Sequence, residues 1–217
     1  INPPGEAKED LQIIIDLANA LGLNWNYKNV SEVFDEMAKV MPSLKNITWD
    51  RVEKEESVTY PCENKDQPGT EIVFEKNFPT SSGLGKIVPT NIISPDELPD
   101  KDYPFVLTTG RLLEHWHTGA MTRKSYTLDN LEPEAIVNMN RVDIIDLKLE
   151  PGKKVNVKTR RGTITLSVRQ DSELPKGMIF IPFCFSEAPA NQLTNPQLDP
   201  IGKIPEFKYC AASIEAC

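Results

Sequence analysis

Thr108-Thr109-Gly110-Arg111-Leu112-Leu113-Glu114-His115-Trp116-His117-Thr118-Gly119-Ala120-Met121-Thr122-Arg123 is the stretch around which the chain is organised. The apolar run before it, Phe105-Val106-Leu107, reads as a buried strand that empties into this polar, glycine-punctuated segment. Both histidines of the protein lie here, with one of its three tryptophans, two arginines and four threonines. Backbone N–H groups at a strand end, approached closely where glycine lacks a side chain, can hold phosphate oxygens. Arg111 and Arg123 can offset phosphate charge through planar forks, and the threonine hydroxyls can add hydrogen bonds. Trp116 and the imidazoles of His115 and His117 offer flat faces to a heterocycle. The stretch is therefore a candidate site for a large anionic ligand that carries a ring system.

Charge distribution points the same way. The net charge of −8 argues against general nucleic-acid binding, which needs a positive surface. Residues 1–100 carry 9 basic and 18 acidic side chains, residues 101–170 carry 12 and 8, and residues 171–217 carry 3 and 6. The one cationic third contains the organising stretch, as an anionic ligand requires. At 217 residues the chain can bury a core and form one or two domains. No apolar run approaches the roughly 20 residues of a membrane span, and no charged-then-apolar signal segment opens the chain. Direct membrane insertion is not expected. Cys62, Cys184, Cys210 and Cys217 lack C-x-x-C spacing, so neither an iron–sulfur cluster nor a structural zinc is expected within these residues. Nothing requires disulfides; a cytoplasmic location is the default, with the periplasm left open. An H-x-H pair on a strand would turn both rings to one side, as in some metal sites. Without a third ligand nearby, hydrogen bonding of His115 and His117 in the loop or to the ligand is the favoured reading, and no metal ligand is assigned.

Along the chain, residues 6–22 predict an amphipathic helix with Leu11, Ile14, Ile15, Ala18 and Leu21 on one face. A second helix is expected from Ser31 as N-cap, with Val33, Phe34 and Met37 inward, and a third over about 44–54. Turn signals crowd residues 57–104, with strand-like runs at Glu71-Ile72-Val73-Phe74 and Lys86-Ile87-Val88 between them. From Tyr103 the pattern is mostly β. Strands are expected at 105–108, 135–139 and 178–181, with a short helix over 141–149 capped by Asn140. Val155 and Val157 alternate with polar residues, as do Ile164, Leu166 and Val168, so a hairpin is expected with Arg160-Arg161-Gly162 at its exposed tip, outside the site. Many short strands with one helix suggest a small closed β-barrel behind an N-terminal helical segment.

Thr-Gly-Arg, two apolar residues, Glu-His-Trp-His-Thr-Gly, one residue, then Met-Thr-Arg resembles the dinucleotide-binding segment of the molybdopterin oxidoreductase superfamily, formate dehydrogenase catalytic subunits and periplasmic nitrate reductases above all. A second set of residues, Ile181-Pro182-Phe183-Cys184-Phe185-Ser186-Glu187-Ala188, Ala190-Asn191-Gln192-Leu193-Thr194 and Pro205-Glu206-Phe207-Lys208-Tyr209-Cys210-Ala211, is similar to the closing segment of the same superfamily and nearer to formate dehydrogenases. Two positions depart from that pattern: Cys184 stands where formate dehydrogenases commonly have histidine, and Arg141 where relatives often have proline.

The resemblance implies a mainly β, α+β chain built on a double-psi β-barrel. Residues 1–57 would be the helical tail of the preceding domain, 58–102 an extended connector and 103–217 the molybdopterin dinucleotide-binding barrel. It implies that the chain is the C-terminal portion of a larger catalytic subunit, most simply a formate dehydrogenase oxidising formate to carbon dioxide with transfer of two electrons. Two molybdopterin guanine dinucleotides (bis-MGD) with molybdenum or tungsten would be the cofactor, and a 4Fe-4S cluster is expected only in the part before Ile1. Thr109, Gly110, Arg111, Leu112, Leu113, Glu114, His115, Trp116, His117, Thr118, Asn191 and Lys208 would line one dinucleotide, and Phe183 would face the substrate region. The catalytic cysteine or selenocysteine and the histidine of that family have no counterpart here. Expected partners are the remainder of the catalytic subunit and electron-transfer subunits. Nitrate reductase, formylmethanofuran dehydrogenase and a non-catalytic barrel serving as an interaction module are the alternatives.

Overall fold

The computed structural model describes residues 2–217, and the chain forms two compact units, Ile1–Pro89 and Thr90–Cys217. In the first unit, helix α1 (Asp10–Ala20) is followed by α2 (Val30–Val40), a 3-10 turn (Pro42–Leu44) and α3 (Trp49–Glu55). The face expected of α1 is split, because Ile15 and Ala18 are buried whereas Ile14 and Leu21 are exposed. The α2 N-cap is Asn29 and not Ser31: the Asn29 amide oxygen accepts from the Glu32 N–H at 3.1 Å and from the Ser31 hydroxyl at 2.6 Å. Val33 and Phe34 of α2 are half-buried, while Met37 is exposed. Thr48 caps α3, which begins later than the sequence suggests. On α3, Arg51 donates to the carbonyls of Asn46, Asn64 and Gln67 and to the buried Cys62 sulfur, tying the loop over 59–70 to the helix.

Neither strand expected between residues 71 and 88 forms. Phe74 adopts a left-handed backbone (φ 61°), incompatible with a strand, and stacks on Phe78. Ile72, Ile87 and Val88 are exposed.

The second unit is a closed six-stranded barrel in the order β1-β5-β2-β4-β3-β6. Its strands are β1 (Phe105–Gly110), β2 (Ile136–Met139), β3 (Lys154–Lys158), β4 (Thr163–Gln170), β5 (Met178–Pro182) and β6 (Cys210–Ala216). Two pairs, β1 with β5 and β2 with β4, run parallel, and the others are antiparallel. This is the double-psi arrangement that the resemblance implies. Alternate residues fill the interior: Leu107, Val137, Met139, Val155, Val157, Leu166, Ile179 and Ile181 are fully enclosed. Helices α4 (Tyr126–Leu131) and α5 (Arg141–Asp146) lie in the connections, and Asn140 caps α5 as expected, accepting from the Val142 N–H at 2.8 Å.

Two features depart from expectation. Strand β6, Cys-Ala-Ala-Ser-Ile-Glu-Ala, carries few strand-favouring side chains, so nothing local announces it. It closes the barrel by pairing with both β1 and β3, and its small Ala211 and Ala212 are completely buried. The hairpin tip is also more than solvated surface. Arg160 pairs with Glu97 and Asp100, and Arg161 donates to both Glu97 carboxylate oxygens, at 3.1 and 2.8 Å. The Ala211 N–H also donates to Glu97, at 3.2 Å. One carboxylate thus straps residues 96–100 to the hairpin and to β6.

Burial acts to raise the Glu97 pKa, but the hydrogen bonds from Arg161, Arg160 and the Ala211 N–H outweigh it and hold the carboxyl below its usual range. A depressed folded-state value contributes stability that is complete above the ordinary glutamate pKa, about 4.3. That stability is lost as the pH falls through the lower folded value. Replacing Glu97→Gln should lower stability at neutral pH by about 1.5–3 kcal/mol, read from denaturant midpoints. The difference from wild type should shrink on acidification below about pH 4; a difference that persists unchanged into strong acid would show that charge is irrelevant to the strap.

Candidate functional site

Parallel strands deliver their C-terminal ends to the same place, and loops there are free to form a site. Strands β1 and β5 end together, with Gly110 opposite Pro182. Three stretches distant in sequence are fastened at this point. The Thr109 hydroxyl donates to the Phe207 carbonyl at 2.9 Å, Lys208 Nζ donates to the Thr109 carbonyl at 2.8 Å, and the Phe183 N–H donates to the Gly110 carbonyl at 3.1 Å. Thr109, Gly110, Phe183 and Lys208 therefore share one end of the barrel. The Lys208 ammonium uses one of its three donors on Thr109, which fixes the charge near the strand end.

Beyond Gly110 the residues of the organising loop alternate between outside and inside. Arg111, Leu113, Trp116 and Thr118 are exposed, Glu114 and His117 are intermediate, Leu112 packs against the core and His115 is buried. Among the described residues no carboxylate pairs with Arg111, so its guanidinium is available to an anion. Trp116 presents its ring to solvent and meets His117 edge-on, with centroids 4.6 Å apart. Asn191 is exposed in the 3-10 turn Ala190–Gln192; its carbonyl accepts from the Thr194 hydroxyl, and no hydrogen bond among the described residues joins it to the Thr109–Lys208 cluster.

Several residues of the stretch serve the protein interior. His115 is 1% exposed, with Nε2 2.8 Å from the Glu132 carbonyl and Nδ1 3.3 Å from the Thr122 hydroxyl. The two histidines sit in a loop rather than on a strand, and His117 is left-handed (φ 48°). Arg123, read above as a phosphate partner, is committed elsewhere: it pairs with Asp129 and Glu187 and lies over the Phe185 ring at 4.8 Å. Neither glycine of the stretch leaves open space. A Cβ on Gly110 would stand 2.5 Å from the Phe180 ring. One on Gly119 (φ +74°) would stand 2.7 Å from the Cys184 carbonyl and 2.6 Å from Arg123 Cγ. Behind the loop, burial pushes the Cys184 thiol up to about 11, so it stays neutral at physiological pH.

A cleft lined by Asp96, Glu97, Arg160, Arg161, Asn195 and Gln197 borders the segment leading into β6, where Glu206 accepts from Asn195 and Asp96, and its arginines are already paired with Glu97. The free cation and exposed indole of the 111–118 loop, not that cleft, have the chemistry of an anionic heterocycle site.

Comparison with known proteins decides the family. Residues 105–211 match the family described as molydopterin dinucleotide binding domain. The barrel is a molybdopterin dinucleotide binding domain. Over 217 residues the chain is 45% identical to the F420-dependent formate dehydrogenase subunit alpha of Methanocaldococcus jannaschii, covering 99% of this chain and 32% of that protein. It is 33% identical over 220 residues to the assimilatory nitrate reductase catalytic subunit of Bacillus subtilis, covering 97% of this chain and 31% of that one. The chain thus spans about a third of the length of these relatives. The fold is shared with acetylene hydratase from Pelobacter acetylenicus, at a TM-score of 0.71 and 22% identity over all of this chain and 34% of that one. No helix among the described residues is long and apolar enough to cross a membrane.

Within the dinucleotide-binding barrel, sequence patterns did not reveal Glu132, Arg169 or Phe185 as supports of the loop. Arg169 grips the Glu132 carboxylate with both arms at 2.9 and 2.6 Å across 37 positions, and Phe185 meets the His115 ring edge-on. No local signal links such residues. The glycine geometry is open to a direct check. Gly119→Ala should cost about 1–3 kcal/mol in thermal unfolding, through both positive φ and overlap with a backbone carbonyl. Gly152→Ala, at φ +84° with nothing within 4 Å of its Cβ, should cost less; equal losses would leave the overlap without effect.

Proposed function

We propose that this chain is the dinucleotide-cradling portion of a catalytic subunit of a formate dehydrogenase. The single observation that carries the site is the convergence of Thr109, Gly110, Phe183 and Lys208 at one barrel end, continuous with a loop that exposes Arg111 and Trp116. That set fits a molybdopterin guanine dinucleotide: the Arg111 guanidinium and the remaining Lys208 donors for a pyrophosphate, and an indole face for a ring. When bound, bis-MGD with molybdenum or tungsten supplies the two-electron chemistry that converts formate to carbon dioxide. This chain's residues bind and orient it. Arg111 and Lys208 offset phosphate charge, Thr109, Leu112, Leu113, Glu114, His117 and Thr118 shape the groove, Asn191 reads a ring edge, and Phe183 stands toward the substrate side. His115 contributes from within the protein, where both ring nitrogens have protein partners.

Formate is favoured over nitrate by the higher identity to the formate dehydrogenase relative, 45% against 33%. The helices before residue 57 are read as the tail of the preceding domain, and 58–102 as the connector. The rest of the subunit, carrying an iron–sulfur cluster, and separate electron-transfer subunits complete the enzyme.

In the natively purified protein, Arg111→Ala combined with Lys208→Ala should weaken retention of the guanine nucleotide by about 1–3 kcal/mol per lost charge-assisted contact. GMP released on acid hydrolysis, per chain, measures it, and an undiminished yield from the double variant would defeat the assignment. Reduction of F420 by formate, with no reduction of nitrate to nitrite when reduced F420 is the electron donor, separates the two substrate classes.

A further inference from the structure

The exposed face of the 111–118 loop is held from beneath by a chain of hydrogen bonds whose polarity is dictated by its ends. A backbone N–H can only donate, so the Trp116 N–H gives its proton to Thr122 Oγ1, 3.0 Å away. A backbone carbonyl can only accept, so His115 Nε2, 2.8 Å from the Glu132 carbonyl, must carry the proton. With the single ring proton on Nε2, Nδ1 is an acceptor, and the Thr122 hydroxyl, 3.3 Å away, is left to donate to it. Every group along the path is used in one direction only: Trp116 N–H to Thr122 Oγ, Thr122 O–H to His115 Nδ1, His115 Nε2–H to the Glu132 carbonyl. The far end is anchored, because Arg169 clamps the Glu132 carboxylate with two arms. The His115 ring is sealed at 1% exposure.

We infer that Thr122 and His115 are positioning residues whose relay fixes the backbone at Trp116, and so orients the exposed indole for the ring of the dinucleotide. This rests on the cofactor assignment above. Trp116 is more than half exposed, and the His117 ring is the aromatic neighbour of its indole among the described residues. Its backbone is held at two points: the Trp116 N–H donates into the relay at 3.0 Å, and the Trp116 carbonyl accepts from the Gly119 N–H at 2.9 Å. Thr122 is thereby distinguished from Thr118, whose side chain is exposed and has no such partners.

Thr122→Val keeps the shape of the side chain and removes the acceptor and donor; Thr122→Ser keeps both. In the natively purified protein, hydrogen–deuterium exchange of the 111–121 peptide reads the Trp116 amide, and GMP released on acid hydrolysis reads cofactor retention. For Thr122→Val, exchange at Trp116 should rise about tenfold and GMP per chain should fall severalfold, with the unfolding midpoint of the barrel held within a few degrees. Thr122→Ser should restore both to within about twofold of wild type. If Thr122→Val melts the barrel, Thr122→Ala removes the same hydroxyl with less crowding and is judged by the same readings. Exchange at Trp116 as slow as in wild type would overturn the relay. Faster exchange with undiminished GMP would overturn its role in orienting the indole for the dinucleotide. Should the unaltered protein itself release no GMP, the cofactor assignment fails, while the exchange comparison of valine and serine variants still decides the relay.

Discussion

The architecture depends on the position of β1 between a parallel neighbour, β5, and an antiparallel one, β6. Hydrogen bonding on both edges leaves β1 no freedom of register, and closure through β6 to β3 leaves the barrel without an exposed edge. Parallel pairing then forces Gly110 and Pro182 to the same rim, so the loops after them emerge side by side. The Lys208 bond to the Thr109 carbonyl belongs to this arrangement. A cation from the segment leading into β6 reaches the rim because β6 itself is bound along β1.

Packing beneath the rim explains how a polar loop can be rigid. Phe180 fills the space a side chain on Gly110 would need, and Arg123 with the Cys184 backbone fills that of Gly119. Both glycines permit close approach of protein to protein, where the sequence alone suggested approach of backbone to phosphate. The loop is consequently sorted by side: Leu112 and His115 tie it down, while Arg111, Leu113, Trp116 and Thr118 face outward. A ligand meeting this face finds groups whose backbone is already ordered, which reduces the entropy lost on binding.

Charge is sorted in the same way. Arg123, Arg160, Arg161 and Arg169 all grip carboxylates, two of them sharing Glu97, and each acts as a cross-link between segments. Part of the cationic character of residues 101–170 is thus structural. Arg111 is the arginine of the organising stretch left without a carboxylate among the described residues, and that difference singles it out for an anionic ligand far better than regional net charge does.

What the sequence determined by itself is local or carried by a contiguous pattern. Alternation in 155–157 and 164–168 marked a hairpin, Asn140 the cap of α5, and the run from Thr108 to Arg123 the family. Period and capping are properties of neighbours along the chain, so they can be read there. What only the tertiary structure decided are relations across many positions. Strand β6 forms because two partners await it, despite its alanines. Residues 71–74 and 86–88 look like strands and have no partner among the described residues. The roles of Arg123, Arg161 and His115 depend on Glu187, Glu97 and Glu132, which lie 64, 64 and 17 residues away in sequence. Side-chain type says which bonds a residue can make; only the fold brings the other half of each bond within reach.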